Sequence, residues 1–447
     1  MCTLGFLTLL IMSFFVLPIY QSPSFSAAGT LISGKRGCTN INSILHLQKI
    51  RRILDQQGNI NLEEDILPKE WIDEINQDNH TTDVLPWEIS YCPANNITWN
   101  PSPVFQTYSA YTSFLDQWNA SHYQGNQSPE FLIVEFMDID GRHPLLGAPD
   151  TWRKVISNYE VSQKDSESGR LLLRRRAHSS TERLTLIKQE NTYTNQWIPV
   201  PPSNNLVFSN INMRLHIIGS ITKTTFRIPP VFIDLIRDSG RTVSYRIIPD
   251  TAQNGLLVNY IPFNHKEFAE LFAGISSDRV VKFRISGPGT AYYDRKIQVE
   301  FKELSYAIEF NRPDYQGLSF VEVETLSNIE TVNGHPAAEL GSPVIIDPRS
   351  EENVTISGWA VDQNAGQAAA GVLVSIDGNL DIPAVYGLDR KDVADYFQNS
   401  HYRFSGFSAS IATSLLGEGQ YCLSLKVVSA DMKSYYESNQ EITLEIR

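Results

Sequence analysis

From Leu184 to Leu304 the chain is cut into short β-branched and aromatic runs: "LVFSNINMRLHII", "TVSYRIIP", "GLLVNYIPF", "RVVKFRISG" and "IQVEFKELSYAIEF". Gly, Pro, Asn or Asp separates them. Segments this short cannot bury an apolar face alone. They must pair into sheets that stack, and the spacing predicts a β-sandwich. One helix, "KEFAELFAG", interrupts the pattern and ends at Gly274, placed as a C′ glycine.

The same pattern returns from about Gly317 to Arg447. In "NVTISGWAVD" Ile356, Gly358 and Ala360 alternate with Ser357, Trp359 and Val361. In "GVLVSIDG" Val372, Val374 and Ile376 alternate with Leu373, Ser375 and Asp377. Two strands are expected, with Gln363 to Ala370 as the loop between them. Asp362, Asn364 and Gly366 imitate the start of a calcium loop, but its twelfth position is Leu373, which cannot supply the bidentate carboxylate. A turn is the expected reading. "LDRKDVADYF" adds a short helix with Asp389 as its expected cap, and "FSASIA", "YCLSLKVVS" and "ITLEIR" complete about seven strands in an Ig-like sandwich.

Ahead of the sandwiches the periodicity is mixed. "PVFQTYSAYTSFLDQWNASHY" sets Val104, Tyr108, Tyr111, Leu115 and Trp118 on one helical stripe. "FLIVEFM" reads as a strand buried on both faces. "APDTWRKVISNYEV" reads as a helix with Trp152, Val155, Ile156 and Tyr159 on one side, and "RLLLRR" as a strand. Together they form a small α/β unit. Before it, Ile44, Leu47, Ile50 and Leu54 recur at helical spacing and Gly58 closes the run, so a helical connector broken at Pro68 is expected.

The first residues are a different material. Cys2 to Tyr20 carries no charge, and its length suits a membrane span. A cleaved signal peptide with small residues at Ser26 and Ala28 is the alternative. An anchor is favoured, which places the remainder outside the cytoplasm. The expected organisation is therefore mainly β with a smaller α/β part: a membrane segment over 1–29, a connector over 30–83, an α/β domain over 84–177, and β-sandwiches over 178–310 and 317–447.

Charge and motifs narrow the function. The net charge is −13, which argues against nucleic acid as the partner. The basic cluster Arg170 to Arg176 reads as a strand end with solvated arginines. Gly29 to Arg36 approximates a phosphate-binding loop, but Arg36 stands where a Ser or Thr must reach Mg²⁺. Nine histidines show no zinc spacing, no GxSxG elbow occurs, and no cofactor is expected. Cys38 and Cys92 form a disulfide or remain buried thiols, the latter being favoured.

Asp138 and Asp140 form a DxD pair after the buried strand, which reads either as a metal site or as a polar turn at Gly141. With Glu135 they are also the weak catalytic candidates for glycoside hydrolysis. Aromatic side chains are the remaining lead, and Tyr108, Tyr111, Trp118, Trp359 and Tyr386 are the candidate ligand-binding residues, because aromatic faces stack on sugar rings.

Three groups of segments, "NPSPVFQTYSAYTSFLD" with "DIDGRHPL", "GLLVNYIPF", and "ISGWAVD" with "YGLDRKDVADYF", resemble the extracytoplasmic C-terminal region of uncharacterised, glycosyltransferase-like bacterial multi-pass membrane proteins. This chain has one hydrophobic segment rather than many, so the resemblance implies an appendage without the catalytic core. The expected function is a membrane-anchored, extracytoplasmic recognition module for glycans or an envelope partner, without catalysis. A sugar-active enzyme using Glu135, Asp138 or Asp140 is the alternative, and a periplasmic spacer is a third reading.

Overall fold

The computed structural model describes residues 46–78, 80–177, 182–276, 278–305, 313–323, 325–340 and 343–447. The apolar segment 2–20, the phosphate-loop-like segment 29–36 and Cys38 lie outside them. No helix among the described residues is long and apolar enough to cross a membrane. The chain divides into two compact units, Met1–Ile66 and Leu67–Arg447. In the first, the helix Leu47–Leu62 runs through Gly58 rather than ending there, and a 3₁₀ turn follows at Glu63–Asp65. An isolated glycine weakens a helix by about 1 kcal/mol, which fifteen other helical residues can absorb.

The second unit is mainly β and opens with the helix Lys69–Asn76, which buries Trp71 and Ile75. A five-stranded sheet follows in the order Thr98–Trp99, Thr81–Leu85, Phe131–Val134, Leu171–Arg175, Tyr159–Lys164. The first three strands are parallel and the last two antiparallel. Phe131 and Ile133 face Trp71 and Ile75, while Leu132 and Val134 join a second core with Trp152 and Val155. Burial on both faces is why that strand reads as an unbroken apolar run. The sheet starts at Thr81, before the expected boundary at 84, because Asp83 disguises the strand. Its buried carboxylate accepts from the amides of Val84 and Ser102, from Trp99 Nε1 and from the Tyr123 hydroxyl. The basic cluster is neutralised: Arg170 pairs with Asp165, Arg175 with Glu130 and Arg176 with Glu160. Cys92 is a buried free thiol whose pKa desolvation pushes up to about 12.

Residues 183–305 form two four-stranded sheets. One runs Thr242–Ile247, Val231–Arg237, Val280–Ser286, Ile198–Pro199; the other runs Leu256–Leu257, Leu206–Asn212, Lys296–Ser305, Arg183–Tyr193. Val231, Ile233, Leu235 and Phe283 from the first meet Phe208, Val299 and Phe301 from the second, in a β-sandwich-like core. That cluster is continuous with Leu132, Val134 and Trp152 of the α/β sheet. The helix His265–Ala273 starts at Asn264, whose side chain accepts from the Glu267 amide, and ends at Gly274 with φ of 71°.

Residues 319–447 form a seven-stranded and a six-stranded sheet around a separate core of Val354, Ile356, Val374, Phe407, Leu425 and Leu444. The strands Asn353–Asp362 and Gly371–Ile376 do not form a hairpin with each other. They belong to opposite sheets, and the segment between them crosses the sandwich. On the way Gln367–Ala368 turns back and pairs with Val361 and Asp362. The buried Asp362 carboxylate accepts from the amides of Ala365 and Ala430, so it ties the crossing down. Among the described residues no group of three or more His, Cys, Asp or Glu could hold a metal. The helix Lys391–Phe397 is capped at Arg390; Asp389 pairs with Arg403 instead. Gly358 is required, since a Cβ there would lie 1.9 Å from the Asn328 carbonyl oxygen.

The three parts of this unit meet around His265. Its ring lies 4.8 Å from Phe404 of the last part and 5.7 Å from Phe136 of the first. Gly169, at φ of +75°, passes so close that a Cβ would come within 2.4 Å of His265 Cδ2. Asn264 Nδ2 donates to the Tyr386 carbonyl. Burial, then the charge of Arg403, lowers the His265 pKa to about 4, and burial does the same to His143. His143 Nε2 lies 2.7 Å from the Pro262 carbonyl oxygen, so it carries the proton and leaves Nδ1 to accept from the Leu145 amide.

Two outcomes are expected. Gly169→Ala forces both a left-handed alanine and a clash with His265, and should cost about 2–4 kcal/mol in a denaturant titration. An NMR titration should find His143 and His265 neutral down to about pH 4. Between that value and 6.5 the unfolded chain binds more protons at these sites, so their contribution to stability is lost as pH falls through this window.

Candidate functional site

The expected helical stripe over Val104 to Trp118 is rearranged. A 3₁₀ turn covers Thr107–Ser109, and the helix spans Ser113–His122 with Thr112 as its N-cap. The face it buries is led by two polar residues, Asp116 and Asn119, with Ala120 beside them. Asp116 explains this. The neighbouring helix Pro149–Asn158 begins at Ala148, which has no side-chain acceptor for the free amides of the first turn. Asp116 supplies one from outside, accepting from the amides of Asp150 and Thr151, both at 3.0 Å. It also accepts from the Thr151 hydroxyl and from Asn254 Nδ2 in the first sandwich. Burial raises its pKa, and these donors pull it back. Asn119 meanwhile bonds both backbone groups of Val104.

With that face committed, the aromatic residues turn outward. Tyr111 is 46% exposed, Trp118 52% and Phe114 68%. The Phe114 and Trp118 rings, one helical turn apart, lie 6.0 Å apart. Tyr111 is held by Arg142, a buried cation 5.2 Å from its ring centroid. Arg142 also lies 6.0 Å from the Tyr108 ring and donates to the Tyr108 carbonyl. Tyr108 therefore serves to fix this loop.

Beyond Tyr111 opens a groove of about 660 Å³ against the end of the first sandwich. Tyr111 and Tyr293 give it aromatic walls; Lys223, Arg227 and Arg246 face it with Asp250. Three cations against one carboxylate favour an anionic, hydrogen-bonding ligand. Burial and then the Asp250 charge raise the Tyr293 pKa, so this hydroxyl stays a neutral donor. The Arg246 amide donates to the Gly141 carbonyl, which joins the groove floor to the α/β part. Lys223, Arg227, Arg246, Asp250 and Tyr293 were not among the residues expected from sequence. One signal was available: no Asp or Glu occurs between Glu190 and Asp234 of this acidic chain.

The other expected residues lie elsewhere. Trp359 is half-buried with its ring 5.5 Å from Phe397. Tyr386 is buried; its hydroxyl donates to the Ala360 carbonyl and accepts from the Ala369 amide, so no face is open to a sugar. Asp140 and Gly141 both have positive φ, 54° and 68°, and form a two-residue turn between Ile139 and Arg142. Asp140 is 3.7 Å from Arg142. Asp138 is exposed, though partial burial of its carboxyl raises its pKa. Glu135 is half-buried, and its amide donates to the Leu85 carbonyl. It follows Phe131–Val134, the central strand of the sheet, and the connections after this strand and its neighbour Thr81–Leu85 leave on opposite faces: Trp152 and Val155 pack in one core, Tyr91 and Cys92 in the other. Such a switch point is where α/β sheets open a crevice.

No family model matches the chain, and neither does any curated protein. Two solved structures give partial likenesses. An endo-β-1,4-mannanase from Thermotoga petrophila is 10% identical over 23% of this chain and 17% of that chain, with a TM-score of 0.16. A DUF4785 family protein from Legionella pneumophila is 8% identical over 60% of this chain and 62% of that one, with a TM-score of 0.17. At these scores neither carries an argument about fold or activity.

Removing the Asp116 carboxylate strands several buried donors at once. Asp116→Ala should destabilise the protein by about 2–4 kcal/mol in a urea titration.

Proposed function

We propose that the protein is a non-catalytic recognition module for acidic carbohydrate, held outside the cytoplasm by a membrane segment at residues 2–20. The observation that carries the reading is the exposed Tyr111, which lines a groove bearing Lys223, Arg227 and Arg246, with Phe114 and Trp118 exposed on the helix that follows it. Sugar rings present apolar C–H faces that stack on aromatic side chains, and arginine pairs with carboxylate or sulfate in a planar fork. The uncharged run Cys2 to Tyr20 supports the membrane assignment. On this reading the α/β part and the first β-sandwich build the binding surface, and the second sandwich supports it.

A glycan array probed with the protein should show saturable binding to acidic glycans over neutral ones. Tyr111→Ala and Arg246→Ala should each weaken it about tenfold or more, since a charge-assisted hydrogen bond contributes about 1.5–3 kcal/mol. Absence of saturable binding, or binding unchanged in both variants, contradicts the proposal.

A second reading, a sugar-active enzyme, is favoured by one observation: Glu135 stands at the switch point of the parallel strands. It requires turnover of a glycoside that Glu135→Gln abolishes. The recognition reading predicts binding without hydrolysis in either protein.

A further inference from the structure

The helix Ile217–Thr225 turns its apolar side chains to solvent. Ile217 is 81% exposed, Ile218 66%, Ile221 60%, and Phe226 just beyond it 76%. This is no frayed end. His216 caps the helix by accepting from the Gly219 amide, and its Nε2 lies 2.8 Å from the Ala291 carbonyl oxygen. Gly219 sits so tightly on the 3₁₀ turn Pro288–Tyr292 that a Cβ would lie 2.0 Å from the Tyr292 oxygen. A helix pinned by its one buried residue presents most of the others outward.

Two of its hydroxyls are already paired. The hydroxyls of Thr224 and Thr225 donate back to the carbonyls of Ser220 and Ile221. Such a surface enters an apolar medium without stranding those donors. Exposed cations flank it: Arg214, Lys223 and Arg227. Asp250 lines the groove with Lys223 and Arg227, and the Asp294 amide donates to the Arg214 carbonyl. The segment itself has none from Asn191 to Ile233. The net charge of −13 opposes an anionic surface only weakly at this point, because charges farther away than about 8–10 Å are screened at physiological salt.

We propose that this helix is a membrane-interface contact: Ile217, Ile218, Ile221 and Phe226 enter the headgroup–acyl boundary of an anionic bilayer, and Arg214, Lys223 and Arg227 pair with its headgroups. In a symmetric self-contact these cations would face their own copies, so charge complementarity selects an anionic lipid surface over that pairing. Lys223, Phe226 and Arg227 also line the groove, so the two readings share these side chains; the three isoleucines lie outside it, and their variant tests the membrane contact alone.

The test uses residues 67–447, which lack the apolar segment 2–20. Each apolar core found in the structure is built from residues within Leu67 to Ile446, so this unit folds on its own contacts. Cosedimentation is measured with phosphatidylcholine vesicles and with vesicles that also contain phosphatidylglycerol. Preferential, salt-sensitive binding to the anionic vesicles is expected. The Ile217→Ser/Ile218→Ser/Ile221→Ser variant should lose more than about tenfold in binding with an unchanged melting temperature. Lys223→Glu and Arg227→Glu should each lose about fivefold or more. Equal binding to both vesicle types overturns the proposal, as does undiminished binding of the isoleucine variant. Self-association abolished by the isoleucine changes, without vesicle binding, also overturns it and assigns the face to a second copy.

Discussion

The buried carboxylate of Asp116 decides which way the aromatic helix faces. An α-helix that starts at Ala148 has free amides and nothing of its own to satisfy them. The acceptor comes from a residue 34 positions earlier, on another helix. Once Asp116 points inward, geometry leaves Phe114 and Trp118 no inward position, since residues two apart on a helix lie about 200° apart around its axis. The exposed aromatic surface is thus the consequence of a polar contact elsewhere. The same carboxylate accepts from Asn254, so it also ties the α/β part to the sandwich end where the groove opens.

The groove depends on that tie and on a second one, the Arg246 amide on the Gly141 carbonyl. Tyr111 reaches the groove from one part, Lys223, Arg227 and Arg246 from the other. Their relative placement is only as good as the packing between parts, and that packing is dense. A single apolar cluster runs from Leu132 and Trp152 through Phe268 to Phe283 and Phe301. The last sandwich joins through His265 and Phe404, where Gly169 leaves no room for a side chain. A rigid scaffold of this kind suits recognition, because a ligand then meets side chains already in position.

Much of the sheet architecture was legible from alternation. Ile356, Gly358 and Ala360 share a buried face, Phe131–Val134 is buried on both sides, and Gly274 ends its helix as a left-handed cap. What escaped has a common cause, namely polar residues used as structure. Asp83 interrupts the apolar pattern of Thr81–Leu85, although four hydrogen bonds make it a core residue. Asp116 and Asn119 reverse the helical stripe that Tyr108, Leu115 and Trp118 define on paper. The crossing between Asp362 and Gly371 looks like a hairpin because local spacing is the same whether two strands share a sheet or face each other. Of the groove only Tyr111 and the missing acids between Glu190 and Asp234 were legible, since its residues come from positions 111, 212–253 and 293 and no local pattern links them.

A buried carboxylate turns an aromatic helix face to solvent, and hydroxyl-radical footprinting reads that orientation. Phe114 and Trp118 should be modified at rates near those of free aromatic side chains, while Trp71 and Trp152, which are 1% and 2% exposed, stay protected. Protection of Trp118 equal to that of Trp152 would show instead that the stripe faces the core and that Asp116 does not set its orientation.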